Sequence, residues 1–327
     1  MKLKLAIGLG STCSGCDIAI LDLAERILEL VDLADIVFWP TAMDFKLEDL
    51  SKFGEGEIDI SIYHGTVRTS EQEHIAHLLR EKSNAVMAFG SCACFGGIPG
   101  LCNLTNREEI FRTVYKETPS TVNPDFITPQ TRVKVGDFEL TLPELYDDGK
   151  SLKQVVDVDY YLPGCPPVVE LIEKLIPILR SAQNGELPPK GTVIASDKTL
   201  CDECPLRREN KIIDHITRVH EIIPDPERCL LEQGILCMGP ATRGGCGARC
   251  ISALMPCRGC MGPPPGVKDQ GARMISAIAS ILAVDEEQEL PEEEVERLIE
   301  GIKDPAGTFY RFTLPEALLN RKVGERK

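Results

Sequence analysis

Fourteen cysteines stand in this chain of 327 residues, and their spacing is that of metal ligands. Cys13-x-x-Cys16, Cys201-x-x-Cys204 and Cys257-x-x-Cys260 are close pairs, while Cys92, Cys165, Cys229, Cys237, Cys246 and Cys250 stand singly. A tight turn brings both sulfurs of a Cys-x-x-Cys to one side, where they suit neighbouring ligands of one site. The N-terminus, Met1-Lys2-Leu3-Lys4, runs straight into a strand pattern without the twin arginines or apolar core of an export signal. The chain is therefore expected to mature and work in the cytoplasm, where disulfides rarely persist. Thiols in this number then point to metal or redox chemistry.

The elements that must position these thiols alternate in the first half. Apolar runs at 3–8, 35–39, 58–63, 85–89 and 155–162 read as strands. Helical periodicity covers 17–31, 70–83 and 168–180, with Ser70 and Glu73 as a capping box and Pro177 as a mild interruption. A polar, Pro-rich excursion, with a short strand pattern at 132–140, separates the fourth strand from the fifth. This order predicts a doubly wound parallel sheet of flavodoxin-like type. In such a sheet the carboxyl ends of the strands share one edge, where ligands bind. Cys13 follows the first strand, Cys92 the fourth and Cys165 the fifth, so the three should converge, with Cys16 joining them. Four thiolates at one edge is the count a cubane iron–sulfur cluster needs. Gly10, Gly15, Gly90 and Gly164 fit a backbone that passes close to a bulky cofactor.

The stretch 184–190 reads as a linker, and the second half has a different character. No Phe, Tyr or Trp occurs from Leu162 to Thr308, a stretch that holds nine of the fourteen cysteines. Such a segment is expected to draw its cohesion from bound metal, because a site present only in the folded state adds its binding energy to folding. Helices are expected at 210–220 and around 269–284, with loop rich in Gly, Pro and Cys between them. Contiguity divides the eight thiols into Cys201, Cys204, Cys229 and Cys237, and Cys246, Cys250, Cys257 and Cys260. Two Cys-x-x-Cys pairs also suit tetrahedral zinc, so a zinc-stabilised scaffold stands as the alternative for this half. A thioredoxin-type pair at Cys13 and Cys16 would leave the other twelve cysteines unexplained. Gly8-x-Gly10 lacks the third glycine of a dinucleotide fingerprint, and His64, His74, His77, His215 and His220 form no ligand pattern.

Composition excludes other classes. The formal net charge is −15 and no run of basic residues breaks it, so nucleic acid is not an expected partner. The densest acid, at 285–300, reads as a solvated face. No apolar run approaches the ~20 residues that span a bilayer, so no membrane insertion is expected.

Three motifs resemble the small subunit of nickel–iron hydrogenases. They are Cys13-Ser14-Gly15-Cys16, Gly90-Ser91-Cys92-Ala93 leading to Phe95-Gly96-Gly97-Ile98-Pro99, and Pro163-Gly164-Cys165-Pro166-Pro167. The resemblance implies a proximal 4Fe–4S cluster on Cys13, Cys16, Cys92 and Cys165. The second half is most similar to the cytosolic, methyl-viologen-reducing branch associated with heterodisulfide reductase. It shares Leu236-Cys237-Met238-Gly239-Pro240, Pro256-Cys257-Arg258-Gly259-Cys260, Asp269-Gln270-Gly271-Ala272 and Gly307-Thr308-Phe309-Tyr310. That similarity implies a medial 4Fe–4S cluster on Cys246, Cys250, Cys257 and Cys260 and a distal one on Cys201, Cys204, Cys229 and Cys237. Periplasmic relatives have a histidine where Cys201 stands, only three medial cysteines, and a glutamate in place of Thr12.

The resemblance further implies an oxidoreductase whose chain relays electrons, with no bond chemistry of its own. The large subunit's nickel-binding Cys-x-x-Cys motifs have no counterpart here: Asp225-Pro226 is followed by Glu227. A large subunit carrying the nickel–iron site and an acceptor subunit (an iron–sulfur or flavin protein) are therefore the expected partners. A quinone-reducing subunit of respiratory type shares the proximal-cluster fold but normally lacks the eight-cysteine second half. The expected architecture is a flavodoxin-like domain over 1–185, then a loop-rich, mostly helical domain over 186–327 organised around two iron–sulfur clusters. Cys94 and Cys102 are left over and are expected to pack as small hydrophobes.

Overall fold

A computed structural model describes residues 2–282, apart from 212 and 214, and residues 292–319. Six parallel strands form the central sheet: β1 (Leu3–Leu9), β2 (Ala34–Phe38), β3 (Ile58–His64), β4 (Ser83–Phe89), β5 (Tyr160–Leu162) and β6 (Thr192–Val193). Their order across the sheet is β2-β1-β3-β4-β5-β6. The first five follow the flavodoxin-like 2-1-3-4-5 arrangement, whose ligand crevice opens at the carboxyl ends where the order reverses. β6 lies beyond the 184–190 linker and extends the edge by one strand.

Side-chain alternation along the strands feeds two cores. On one face Leu5, Ile7, Ile60, Ile62, Met87 and Leu162 pack against the helices Gly15–Leu21, Ile27–Leu33 and Leu175–Ala182. On the other, Ala6, Tyr63, Val86 and Ala88 meet Ala76 and Leu79 of the helix Ser70–Lys82. Both faces are covered, as a parallel sheet requires.

Several elements differ from expectation for identifiable reasons. The helix expected at 17–31 is broken near Ala24, whose φ of +50° no helix accepts. The helix expected at 168–180 splits into Val169–Ile172 and Leu175–Ala182. The break falls at Glu173, four residues before Pro177, where the proline ring would meet a helical carbonyl. The capping box sits one residue early, on Thr69 and Gln72, which frees Glu73 to accept from Tyr146 Oη at 2.6 Å. The strand expected at 155–162 contracts to Tyr160–Leu162, because Ser151 starts a 3-10 turn.

Past β6 the regular structure is short and helical: Arg249–Ser252, Gln270–Ala279, Glu292–Glu300 and Pro305–Phe309, with single turns between. The helix expected at 210–220 is absent. The described residues there form no helix: Ile213 pairs with Leu282 and Thr217 with Ile235 through isolated bridges, and Val219 and His220 form a turn. The helix expected at 269–284 ends at Ala279, and part of the acidic 285–300 stretch falls outside the described residues. A third core, built on Leu200, Leu231, Met238, Met274, Phe309 and Tyr310, includes Cys237 and Cys257 among its buried members.

Hydrogen bonds stitch the two halves together. Ser91 Oγ donates to the Cys260 carbonyl at 2.5 Å and Gly97 N–H to the Phe312 carbonyl at 3.0 Å. Ser151 Oγ donates to Glu316 at 2.6 Å and Gln154 Nε2 to the Pro315 carbonyl at 2.8 Å. No helix among the described residues is long and apolar enough to cross a membrane.

Candidate metal centres

The carboxyl edge of the sheet gathers the first four thiols. β1 ends at Leu9 and leads to Cys13, the helix Gly15–Leu21 carries Cys16, β4 runs into the short helix Gly90–Phe95 that carries Cys92, and β5 leads into Cys165. Ser91 N–H donates to the Gly164 carbonyl at 2.7 Å, which ties the exits of β4 and β5 together. Burial first, and then the neighbouring Cys92, Cys165 and Cys13, push the Cys16 thiol far above its usual range. Burial and then Cys165 and Cys13 push Cys92 up to about 12. Each of the two thus feels other members of the set.

The backbone has been cleared for these sulfurs. A Cβ at Gly90, where φ is +80°, would lie 2.5 Å from Cys16 Sγ. A Cβ at Gly97, where φ is +58°, would collide with Cys92 Sγ. Thr66 and the Ile98 N–H hydrogen-bond Cys92 and favour its thiolate.

The eight later thiols form two further groups. Cys201 is raised to about 12 by burial and then by Cys237, Cys229 and Cys204. These four line one cavity of about 620 Å³. Cys260 is raised to about 12 by burial and then by Cys246, Cys165 and Cys250. Burial, then Cys237 and more weakly Cys260, lift Cys257 well above its usual range. The N–H of Cys257 donates to Cys237 Sγ at 3.3 Å, so the second group touches the third. The Cys165 backbone likewise hydrogen-bonds Cys260, so the sheet-edge group touches the Cys246–Cys260 group, which lies between the other two.

Thiols raised this far are protonated at neutral pH and poor as nucleophiles. Disulfide-exchange chemistry at Cys16 is thus unsupported, whereas a metal replaces the proton outright. With Zn–S bonds of ~2.3 Å, one zinc ion would draw its sulfurs to within about 4 Å of one another. A cubane takes one thiolate per corner and asks for wider sets. The donor type, the count of four per set and the cleared glycines fit the cubane.

Two thiols stay outside the sets. Cys94 is fully buried, and its Sγ donates to the Ala88 carbonyl at 3.3 Å. Cys102 is half-buried, with its Sγ 3.3 Å from Asn103 Oδ1.

The spacing arguments missed one buried network. His64, at the end of β3, is fully buried, and its Nε2 lies 3.1 Å from Asp17 Oδ1. Trp39 Nε1 donates to the same oxygen at 2.8 Å. Burial works to raise Asp17, but the His64 and Trp39 contacts prevail and hold its carboxyl below the usual range. The network anchors the helix that presents Cys16. Thr12 Oγ1 accepts the Ser14 N–H at 3.2 Å and meets His64 Nδ1 at 3.3 Å, shaping the Cys13 turn. The sequence signals were thin: an acid beside a cysteine, and a histidine ending a strand.

A family model described as NADH ubiquinone oxidoreductase, 20 Kd subunit, matches residues 13–177 and stops short of Cys201. The chain is 41% identical over 329 residues to the iron-sulfur subunit of the F420-non-reducing hydrogenase of Archaeoglobus profundus, covering 99% of each chain. It is 40% identical over 311 residues to the corresponding vhu subunit of the F420-non-reducing hydrogenase of Methanocaldococcus jannaschii, covering 95% of this chain and 94% of that one. Among solved structures, the Ni-Fe-Se hydrogenase from Desulfomicrobium baculatum superposes with a TM-score of 0.51 at 20% identity, over 81% of this chain and 96% of that one. At that identity the likeness is one of fold.

Proposed function

This chain belongs to the family of F420-non-reducing hydrogenase iron–sulfur subunits, and from that premise we propose that it is a three-station electron relay. It is an oxidoreductase subunit of small-subunit type. Cys13, Cys16, Cys92 and Cys165 would hold a proximal 4Fe–4S cluster. Cys246, Cys250, Cys257 and Cys260 would hold a medial one, and Cys201, Cys204, Cys229 and Cys237 a distal one. When bound, such clusters supply one-electron carriers whose potentials depend on hydrogen bonds to the sulfurs and on burial.

The chain's own residues set those conditions. Thr66 and the Ile98 N–H hydrogen-bond Cys92, and the Gly259 N–H donates to Cys257 Sγ at 3.4 Å. The third core buries Cys237 and Cys257 away from water. The proximal mouth is the face for a large subunit that carries the nickel–iron site, because Cys13 and Cys165 are the exposed members there. The distal set faces an acceptor subunit. Residues 1–185 and 186–327 serve as the two functional units. A reducing compartment, the cytoplasm, suits fourteen free thiols.

One observation carries the reading: the three sets are joined in series, through Cys165 with Cys260 and Cys257 with Cys237. The test is metal analysis of the natively purified complex, with identification of its co-purifying subunits. This subunit is expected to bring about twelve irons, four for each of three cubanes. Iron near four with stoichiometric zinc would overturn the relay, as would hydrogen oxidation by the isolated chain.

A further inference from the structure

The sequence contains no run of basic residues, yet the fold collects cations from separate stretches around one cavity. Arg218, Arg258, Lys303 and Arg311, with His220 beside them, line a cavity of about 190 Å³. This happens in a chain of formal net charge −15. Asp304 is the one carboxylate among the described lining residues, and its Oδ1 already accepts the Gly307 N–H at 2.9 Å as a helix cap. Among the described residues none of the four cations is ion-paired. Arg311 Nε donates to the Gly307 carbonyl at 2.8 Å, which leaves the rest of its guanidinium free to face the cavity.

Arg258 is half-buried between Cys257 and Cys260. Burial, and then Arg311 and Arg218, make its charge costly, but a guanidinium does not shed its proton. Arg258 and Arg311 are half-buried, while Arg218 and Lys303 are exposed at the rim. Cys237 and Cys250 favour the Arg258 charge from one side, and on the cavity side like charges gathered around a single carboxylate are eased by an anion. The guanidinium fork matches the oxygens of phosphate two at a time. A cavity of about 190 Å³ admits inorganic phosphate or a small phosphoester but not a nucleotide.

We propose that this cavity is an oxyanion site for a phosphate-class dianion, built by Arg218, Arg258 and Arg311 with Lys303 at its margin. Its occupant would also offset the Arg258 charge, which acts on Cys237 and Cys250. That consequence rests on the relay reading, whereas the site itself does not.

The test is calorimetric titration of the native complex with inorganic phosphate, in buffers held at one ionic strength with chloride. Saturable binding near one phosphate per subunit is expected, with sulfate competing. Arg218→Gln and Arg311→Gln should each weaken it about tenfold or more, with iron content unchanged. Arg311→Lys keeps the charge and should retain most of the binding if the Gln variant does not fold. No saturable phosphate binding in the native complex, or binding in both Gln variants as tight as in the native complex, overturns the site. In parallel, phosphate should lower one cluster potential in the native complex and not in Arg218→Gln. Phosphate binding with unchanged potentials would overturn the link to the relay alone.

Discussion

Behind Cys16 and Cys92 stand two apolar layers built from residues such as Leu5, Ile62, Met87, Tyr63 and Leu79, in which Cys16 is the one buried member of the proposed ligand sets, with Cys246 and Cys260 packed at the margin. Behind Cys204 and Cys229 stands a smaller core in which Cys237 and Cys257 are themselves members. The same donor is thus used on opposite terms. At the sheet edge, strands fixed by their own burial deliver the thiols to one place. In the cysteine-rich half, turns and short helices surround thiols that supply part of the burial, and on the proposed reading ligation would complete what packing leaves undone.

The largest break of this comparison comes from removing iron. Anaerobic chelation should leave amide protection in β1, β3 and β4 nearly intact. Protection across residues 199–262 should fall by about 3 kcal/mol or more in opening free energy. Hydrogen exchange read by mass spectrometry checks this, and equal losses in both regions would erase the distinction.

Gly90→Ala probes the other side. The added Cβ would lie 2.5 Å from Cys16 Sγ, at a φ of +80° that costs a non-glycine residue about 1–2 kcal/mol. The expected result is loss of about four irons from about twelve, with circular dichroism unchanged. Full iron retention would mean the proximal set is not where the sheet edge puts it.

Asp159→Asn should affect the sheet without touching ligation. Asp159 Oδ2 takes Arg80 at 2.6 Å and the Val86 N–H at 2.8 Å, and Oδ1 takes Lys190 at 2.7 Å. Burial works to raise this carboxyl, but those partners hold it below its ordinary value. A depressed carboxylate stabilises above its unfolded pKa, and that stabilisation is lost as pH falls through the folded pKa. The variant should therefore be less stable by about 2 kcal/mol at pH 7. The difference should shrink as pH drops below about 4. Denaturant melts across pH measure it, and a difference independent of pH would refute the ionic origin.

The smallest effects are expected at the leftover thiols. Cys94→Ala should cost about 1 kcal/mol, because it empties a fully buried site. Cys102→Ala should cost less, since that residue is half-buried. Neither should change iron content, and a loss of about four irons would place one of them among the ligands.

How much of this was legible follows from the same contrast. The five longer apolar runs could be read because a buried parallel strand needs little beyond its own sequence, so the cysteines just past them could be placed. The 210–220 segment could not. Ile213, Ile216 and Val219 imitate helical spacing, but Ile213 bridges to Leu282, Thr217 to Ile235, and Val219 lies in a turn. The cations around Arg258 were equally invisible, since Arg218, Lys303 and Arg311 reach it only through tertiary folding. His64 and Asp17, 47 positions apart, meet for the same reason.

The seams between the two halves carry a kinetic consequence. Ser91, Gly97, Ser151 and Gln154 bond across to Cys260, Phe312, Glu316 and Pro315 at separate points. Two halves bonded at separate points in this way are held to one another, which sets the separation between one thiol group and the next. Electron tunnelling falls off steeply with distance, and a conductor of set length has no gate of its own. On the proposed relay reading, throttling the current would then be left to the docking and undocking of neighbouring chains.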